Sequence, residues 1–165
     1  MKYTIILLGM LLSYVSHASE GPYLNLSAFG SSLDDGEGVK FGLHGGTDIL
    51  WAVDYSVTDN LGGISAAAGK QVGQFKVLFG LQWIDEYDGD NLYKNIEGER
   101  VKLRDNNGDG YAAFIEAYYG YVFARAIAYH VERDWDVSPI DYPYDSGTEK
   151  EDDAALWIGV NYPFD

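Results

Sequence analysis

Asp105-Asn-Asn-Gly-Asp-Gly110 is followed after five residues by Glu116, and then by Ala117-Tyr-Tyr-Gly-Tyr-Val-Phe-Ala-Arg-Ala-Ile-Ala-Tyr-His-Val131. This stretch admits two folds. Asp105 through Glu116 matches every position of the Ca²⁺-loop pattern D-x-[DN]-x-[DN]-G-x₅-E, which in an EF-hand lies between two helices. Residues 111–131 are rich in aromatic and β-branched side chains, which favour a strand. Before the loop, Val101 and Leu103 stand two apart rather than three or four; after it, Gly120 interrupts the exit. Ala113 stands where a helix would pack a larger apolar residue. The strand reading predicts an acidic surface loop running into a β-hairpin. Gly120-Tyr121, with glycine first, suits a two-residue turn. That turn places Glu116 opposite Arg125, Phe114 opposite Ile127 and Tyr118 opposite Phe123.

Extended backbone advances about 3.3 Å per residue, so Glu116 lies about 20 Å beyond Gly110 and cannot close a coordination sphere there. The Ca²⁺ candidates that remain are Asp105, Asn107, Asp109 and the Tyr111 carbonyl, with other ligands coming from elsewhere in the chain. A plain acidic turn is the alternative.

Outward from this hairpin, strands and turns account for the rest. The expected strands are Tyr23–Gly30, Val39–Gly46, Ile49–Thr58, Gly63–Lys70, Phe75–Ile84, Tyr111–Tyr119, Val122–Glu132 and Ala154–Phe164. In the fifth, Phe75, Val77, Phe79, Leu81 and Trp83 face one way, while Lys76, Gly80 and Gln82 face the other. Leu156, Ile158, Val160, Tyr162 and Phe164 share a face in the last. Period-two alternation marks strands with two different environments. Turns near Gly46–Asp48, Gln71–Gln74 and Gly120–Tyr121 fall at one end. The connections Ser31–Gly38, Asp59–Gly62, Asp85–Gly110 and Arg133–Asp153 fall at the other. Short turns at one end and longer loops at the other is the layout of outer-membrane barrels. Trp51, Tyr119, Tyr162 and Phe164 are expected at one rim and Trp83 at the other, as an aromatic girdle.

Residues 1–18 read as a secretory signal: Lys2, an apolar run from Ile5 to Val15, and Ser16-His17-Ala18 before the cut. The run is short for a bilayer span; an uncleaved anchor is the alternative. Cleavage leaves residues 19–165, 147 in number, enough for one domain. The chain has no cysteine, hence no disulfide framework and no lipid-modified thiol. It carries 26 acidic and 11 basic residues; losing Lys2 leaves 10 basic residues and a formal charge of −16. Such a surface repels nucleic acid and favours cations. The acids cluster at Asp34–Glu37, Asp85–Asp109 and Asp134–Asp153, expected as solvated loops, the two long ones spanning about 85–110 and 133–153.

The leader, the alternating strands and the closing Leu156-Trp-Ile-Gly-Val-Asn-Tyr-Pro-Phe164 together resemble the small eight-stranded outer-membrane proteins, the OmpA-type and OmpX-type barrels. The resemblance implies an all-β, eight-stranded, antiparallel up-and-down transmembrane β-barrel in the cell outer membrane. Its partners would be outer-membrane lipid and lipopolysaccharide, with the barrel assembly machinery acting on the terminal aromatic strand. Pro163 before Phe164 and Asp165 after it depart from the usual ending. The likeness is architectural and carries no functional residues with it.

In such a barrel Lys40, His44, Asp54, Lys76, Gln82, Glu116 and Asn161 point inward, and their charges must be paired. No phosphate loop, zinc pattern or nucleophile elbow occurs. His130 and Glu132 share a strand face near the loop end, as a base and its orienting acid would, but Ser138 has no nucleophile context. The function expected is therefore a non-enzymatic structural or surface-interaction barrel. A lipid-modifying enzyme and a soluble periplasmic ligand-binding barrel are the alternatives.

Overall fold

The computed structural model describes residues 22–32, 36–58, 61–87, 93–96, 99–102, 104–105, 108–136 and 146–164. The expected signal at 1–18 lies outside them. Strands form where the alternation predicts: β1 Tyr23–Ser31, β2 Glu37–Gly45, β3 Leu50–Thr58, β4 Leu61–Val72 and β5 Phe75–Tyr87. Two short strands pair next, β6 Tyr93–Ile96 and β7 Glu99–Lys102, before β8 Arg104–Asp105. The last three are β9 Gly108–Tyr119, β10 Val122–Asp136 and β11 Ser146–Phe164.

β1–β5 and β9–β11 pair in antiparallel, up-and-down order, and β11 pairs with both β10 and β1, closing an eight-stranded barrel. Paired residues traced round the wall run from Asn161 through Ser27, Lys40, Ser56, Gly63, Ile84, Gly110 and Val131, and regain β11 at Glu151. One circuit therefore staggers the register by ten residues. With strands about 4.8 Å apart, that stagger tilts them by roughly 40° and leaves an interior that side chains just fill.

The β9–β10 register is the one the Gly120-Tyr121 turn dictates: Glu116 opposes Arg125, Phe114 opposes Ile127 and Tyr118 opposes Phe123. Gly73 and Gly120 each open a two-residue turn at positive φ, 62° and 58°, which a side-chain-bearing residue adopts only with strain.

The interior is filled asymmetrically. Gly42, Ser56, Gly63, Ser65, Ala67 and Gly80 line the β2–β5 wall, and Phe114, Tyr118, Phe123, Arg125, Ile127 and Trp157 project from the β9–β11 wall. A Cβ on Gly80 would lie 2.2 Å from a ring carbon of Phe114, so Gly80 stays bare to let that ring cross. Phe29 and Trp157 stack with centroids 4.5 Å apart, and Phe123 meets Phe29 edge-on at 6.0 Å.

Outside, the pattern inverts. Leu81 is 70 % exposed and Phe79 63 %, with Leu24, Leu26, Phe41, Ile115, Ile158 and Val160 exposed around the wall. Phe75 contacts Tyr119, and Tyr121 contacts Tyr162, at the turn end.

Four expectations are revised. Trp51 turns inward at the turn end and is only 7 % exposed, because Gly45 offers its indole a bare surface. Lys76 has inward parity but stands exposed at the barrel mouth. The β3–β4 connection is residues 59–60 alone, because β4 begins at Leu61 and Thr58 Oγ1 accepts from the Leu61 N–H at 2.9 Å. Much of the expected 133–153 loop is strand, with β10 reaching Asp136 and β11 starting at Ser146. Charge pairing across the hairpin contributes to this: Glu132 opposes Lys150 and Arg133 opposes Glu149.

Candidate functional site

Side chains from β2, β3, β5, β9 and β10 meet in a polar cluster inside the barrel. Lys40 and Arg125 are 0 % exposed, and Glu116 and Asp54 are nearly so. Lys40 Nζ donates to both Glu116 carboxylate oxygens at 2.9 Å and to the Tyr118 hydroxyl at 2.7 Å. Arg125 Nε donates to Glu116 Oε2 at 2.5 Å, and Tyr118 donates to Glu116 Oε1. Asp54 Oδ2 lies 3.9 Å from Lys40 and 3.7 Å from Arg125. Two cations thus face two carboxylates, which offsets the large cost of burying any one of them alone. The guanidinium of Arg125 also stacks on Phe114 at 3.9 Å from the ring centre, and Lys40 Nζ sits 4.5 Å over Phe123. Gln82 Oε1 accepts from Arg125 at 3.3 Å.

His44 closes the cluster toward the turn end. Its Nε2 is 2.7 Å from Asp54 Oδ1, and Asn25 Nδ2 lies over the ring, 2.9 Å from Nε2 and 3.1 Å from Nδ1. Asn161 accepts from Ser27 Oγ at 3.1 Å nearby. Of the seven inward residues expected from the sequence, six are buried here; Lys76 alone is not.

Beyond His44 the barrel opens into a recess of about 400 Å³ at the turn end, bounded by Tyr23, Trp51, Lys76, Leu78 and Tyr118 among others.

At the loop end a second cluster sits on the outer face of the β10–β11 hairpin. His130 Nδ1 is 2.6 Å from Asp152 Oδ1, and His130 Nε2 is 3.7 Å from Glu132 Oε1. Lys150 Nζ donates to Glu132 at 2.5 Å. The Lys150 ammonium holds the Glu132 carboxyl below the usual range, and Glu132 pushes the Lys150 ammonium up. On the opposite, buried side of the same hairpin Arg133 donates to Glu151 at 3.0 Å. Tyr111 packs over His130, with ring centres 5.2 Å apart. His130 and Glu132 do share a face, as expected, and their nearest partners are Asp152 and Lys150. Ser138 lies outside the described residues.

The Ca²⁺ candidates are spread along one edge of this region. β9 starts at Gly108, three residues earlier than expected, so Asp109 and Tyr111 are ladder residues. Asp109 opposes Glu132; Tyr111 stands between Trp83 and His130; both side chains are exposed. Asp105 pairs through its backbone with Trp135. The Asp105 and Asn107 side chains lie outside the described ones. Glu116, last in the loop pattern, is inside the barrel with Arg125. Among the described residues, no group of three or more His, Asp or Glu side chains forms a metal cluster.

No protein-family model, curated protein or solved structure matches this chain.

Proposed function

We propose that this chain is an integral β-barrel of the bacterial outer membrane, non-enzymatic, serving envelope structure or surface interaction through its acidic loop end. The observation that carries this reading is the inverted partition. Twenty-two large hydrophobic side chains are exposed among the described residues, while Lys40, Asp54, Glu116 and Arg125 are buried. Water disfavours a continuous apolar belt of that extent, and hydrocarbon favours it. A soluble barrel has the opposite facing.

The height of the belt agrees. From Phe75 to Trp83 on β5, and from Tyr111 to Tyr119 on β9, aromatic residues bracket eight residue steps. That is about 26 Å of strand and roughly 20 Å along the axis at the tilt above, against roughly 25 Å for an outer-membrane apolar band. On this reading the tight turns face the periplasm, the loop end faces outward, and the terminal aromatic strand engages the assembly machinery.

Fractionation of the envelope tests it. The chain should remain with outer membranes through high-salt and alkaline washes and migrate differently on gels before and after boiling. Release in soluble form by osmotic shock would favour a periplasmic barrel. Lipid A changed in the presence of the chain would favour a lipid-modifying enzyme.

The same reading retains a weak Ca²⁺ site at the loop end. Pairing of Asp105 with Trp135, and of Asp109 with Glu132, ties both ends of the acidic stretch to β10. Millimolar Ca²⁺ should slow proteolysis between Asp85 and Gly110. Asp109→Ala should remove the protection, and Glu116→Gln should leave it in place. Absence of protection at any Ca²⁺ concentration reduces the motif to an acidic turn.

A further inference from the structure

β11 outruns its neighbour on one side. Its ladder with β1 ends at Trp157 opposite Ser31, while its ladder with β10 continues to Ser146. Ser32 closes the β1 side: its N–H donates to the Leu156 carbonyl, and its Oγ accepts from the Leu156 N–H. The Ser31 N–H donates to the Gly36 carbonyl at 2.7 Å, and β2 begins at Glu37. From Ser146 to Ala155, β11 therefore has β10 on one edge and, among the described residues, no strand on the other. β10 differs: β9 and then β8 flank its far edge up to Asp136. Leu156 directs both backbone groups to the β1 side, so alternation directs those of Ala154, Asp152, Lys150 and Thr148 the same way. The Ala154 N–H already holds an oxygen there, the Asp153 carboxylate at 2.7 Å. Contacts of His130 with Asp152, Glu132 with Lys150 and Arg133 with Glu151 fix the strand that carries this edge. An open edge so fixed is a template for another strand.

We propose that the open edge of β11, from Thr148 to Ala154, takes up an extended basic segment of a partner protein by strand addition. Charge decides the partner. Glu149-Lys-Glu-Asp-Asp153 carries four acids and one lysine, and that lysine is bonded to Glu132. Charged side chains ordinarily keep an edge from pairing. Here nearly all share one sign, so they repel an acidic strand and a second copy of β11 and attract a cationic one. Glu149 and Asp153 are exposed and lie on one face of β11. Lysine or arginine at every second residue of the added strand meets them, while its backbone fills the ladder and a carbonyl replaces the Asp153 carboxylate on Ala154. This names a partner class for the surface interaction proposed above, and rests on that reading for the outward exposure of the loop end. Binding by the purified barrel does not depend on where the barrel resides, so the two can fail separately.

The test uses the purified, folded barrel in detergent micelles, with backbone amides followed by NMR and affinity by fluorescence anisotropy. The probe is the labelled peptide Lys-Val-Lys-Val-Lys-Val-Lys. Two controls keep its charge, one N-methylated at the valines and one at the lysines. With the lysines on the Glu149 and Asp153 face, the valine N–H groups point at β11 and the lysine ones away from it. Binding should shift the amide signals of Ala154, Asp152 and Lys150 and slow their exchange. Methylating the valines should weaken it at least about tenfold, and methylating the lysines should leave it within about twofold. Glu149→Gln with Asp153→Asn should weaken it about tenfold without touching the backbone. Ala154→Pro removes one edge donor and no charge, and should weaken it about fivefold. Unmoved core amide signals report that each variant is folded, and the two methylated peptides need no variant at all. Equal binding of those two peptides would reduce the contact to charge alone and overturn strand addition. Absence of binding, equal affinity for the peptide with glutamate in place of lysine, or protection away from Thr148–Ala154 would overturn it as well.

Discussion

Glu116→Gln is expected to lower the free energy of unfolding by about 3–5 kcal/mol, the range found when one member of a buried ion pair is removed. Three donors converge on this carboxylate: Lys40, Arg125 and the Tyr118 hydroxyl. Gln keeps the shape and one acceptor but removes the charge, leaving two buried cations to share Asp54 at 3.9 and 3.7 Å. Arg125→Met removes one of those cations, and the remaining Lys40 and Asp54 then balance. The double variant should therefore be more stable than the sum of the two single losses predicts, with a coupling of at least about 1 kcal/mol. Urea titration monitored by tryptophan emission or by gel migration measures it. Strictly additive losses would sink the cluster as an energetic unit. The exposed Glu132–Lys150 pair is an internal contrast. Its 2.5 Å contact matches the Arg125–Glu116 one, but water solvates both partners, and Glu132→Gln should be far milder.

Which of these residues face inward is legible in the sequence, and so is one contact. Alternation assigns a face to each side chain, and a two-residue turn fixes the register of the two strands it joins; Glu116 opposite Arg125 comes from Gly120 alone. The same alternation places Lys40 and Asp54 on the correct face but gives them no partner. Their contacts run across the lumen between strands far apart in the chain, and the barrel's stagger, which no local pattern encodes, decides who meets whom. Trp51 shows the opposite failure. Parity puts it outside, but at the end of a strand parity loosens, and the bare backbone of Gly45 draws the indole in. The Gly45-Gly46 pair beside it is the available signal. Charge runs usually are solvated, and on that ground the acidic stretch 133–153 reads as loop. Two of its charges instead find opposite partners across a hairpin, Glu149 facing Arg133 and Lys150 facing Glu132, and only the register reveals that.

Arginine scanning down the outer face of β5 should separate a wall facing lipid from one facing water. Phe79, Leu81 and Trp83 all point outward, at 63 %, 70 % and 56 % exposure, with Gly80 and Gln82 interleaved toward the interior. Between the aromatic bounds Phe75 and Trp83, Phe79 is the midpoint and Leu81 lies one outward position nearer the loop end. Arginine costs about 2–4 kcal/mol at the midplane of an outer-membrane barrel and about 0–1 near the interfaces, where its guanidinium reaches the head groups. Phe79→Arg should therefore be the most damaging, Leu81→Arg intermediate and Trp83→Arg the mildest, measured as refolding into lipid vesicles across a urea series. Water imposes no such order: on a solvated wall each change removes an exposed apolar side chain and adds a charge, typically within about 0.5 kcal/mol. A flat profile, with all three variants folded and recovered in the soluble fraction, would place water outside the barrel. A graded one places hydrocarbon there, because only a medium whose polarity changes along the strand can rank three identical substitutions by position.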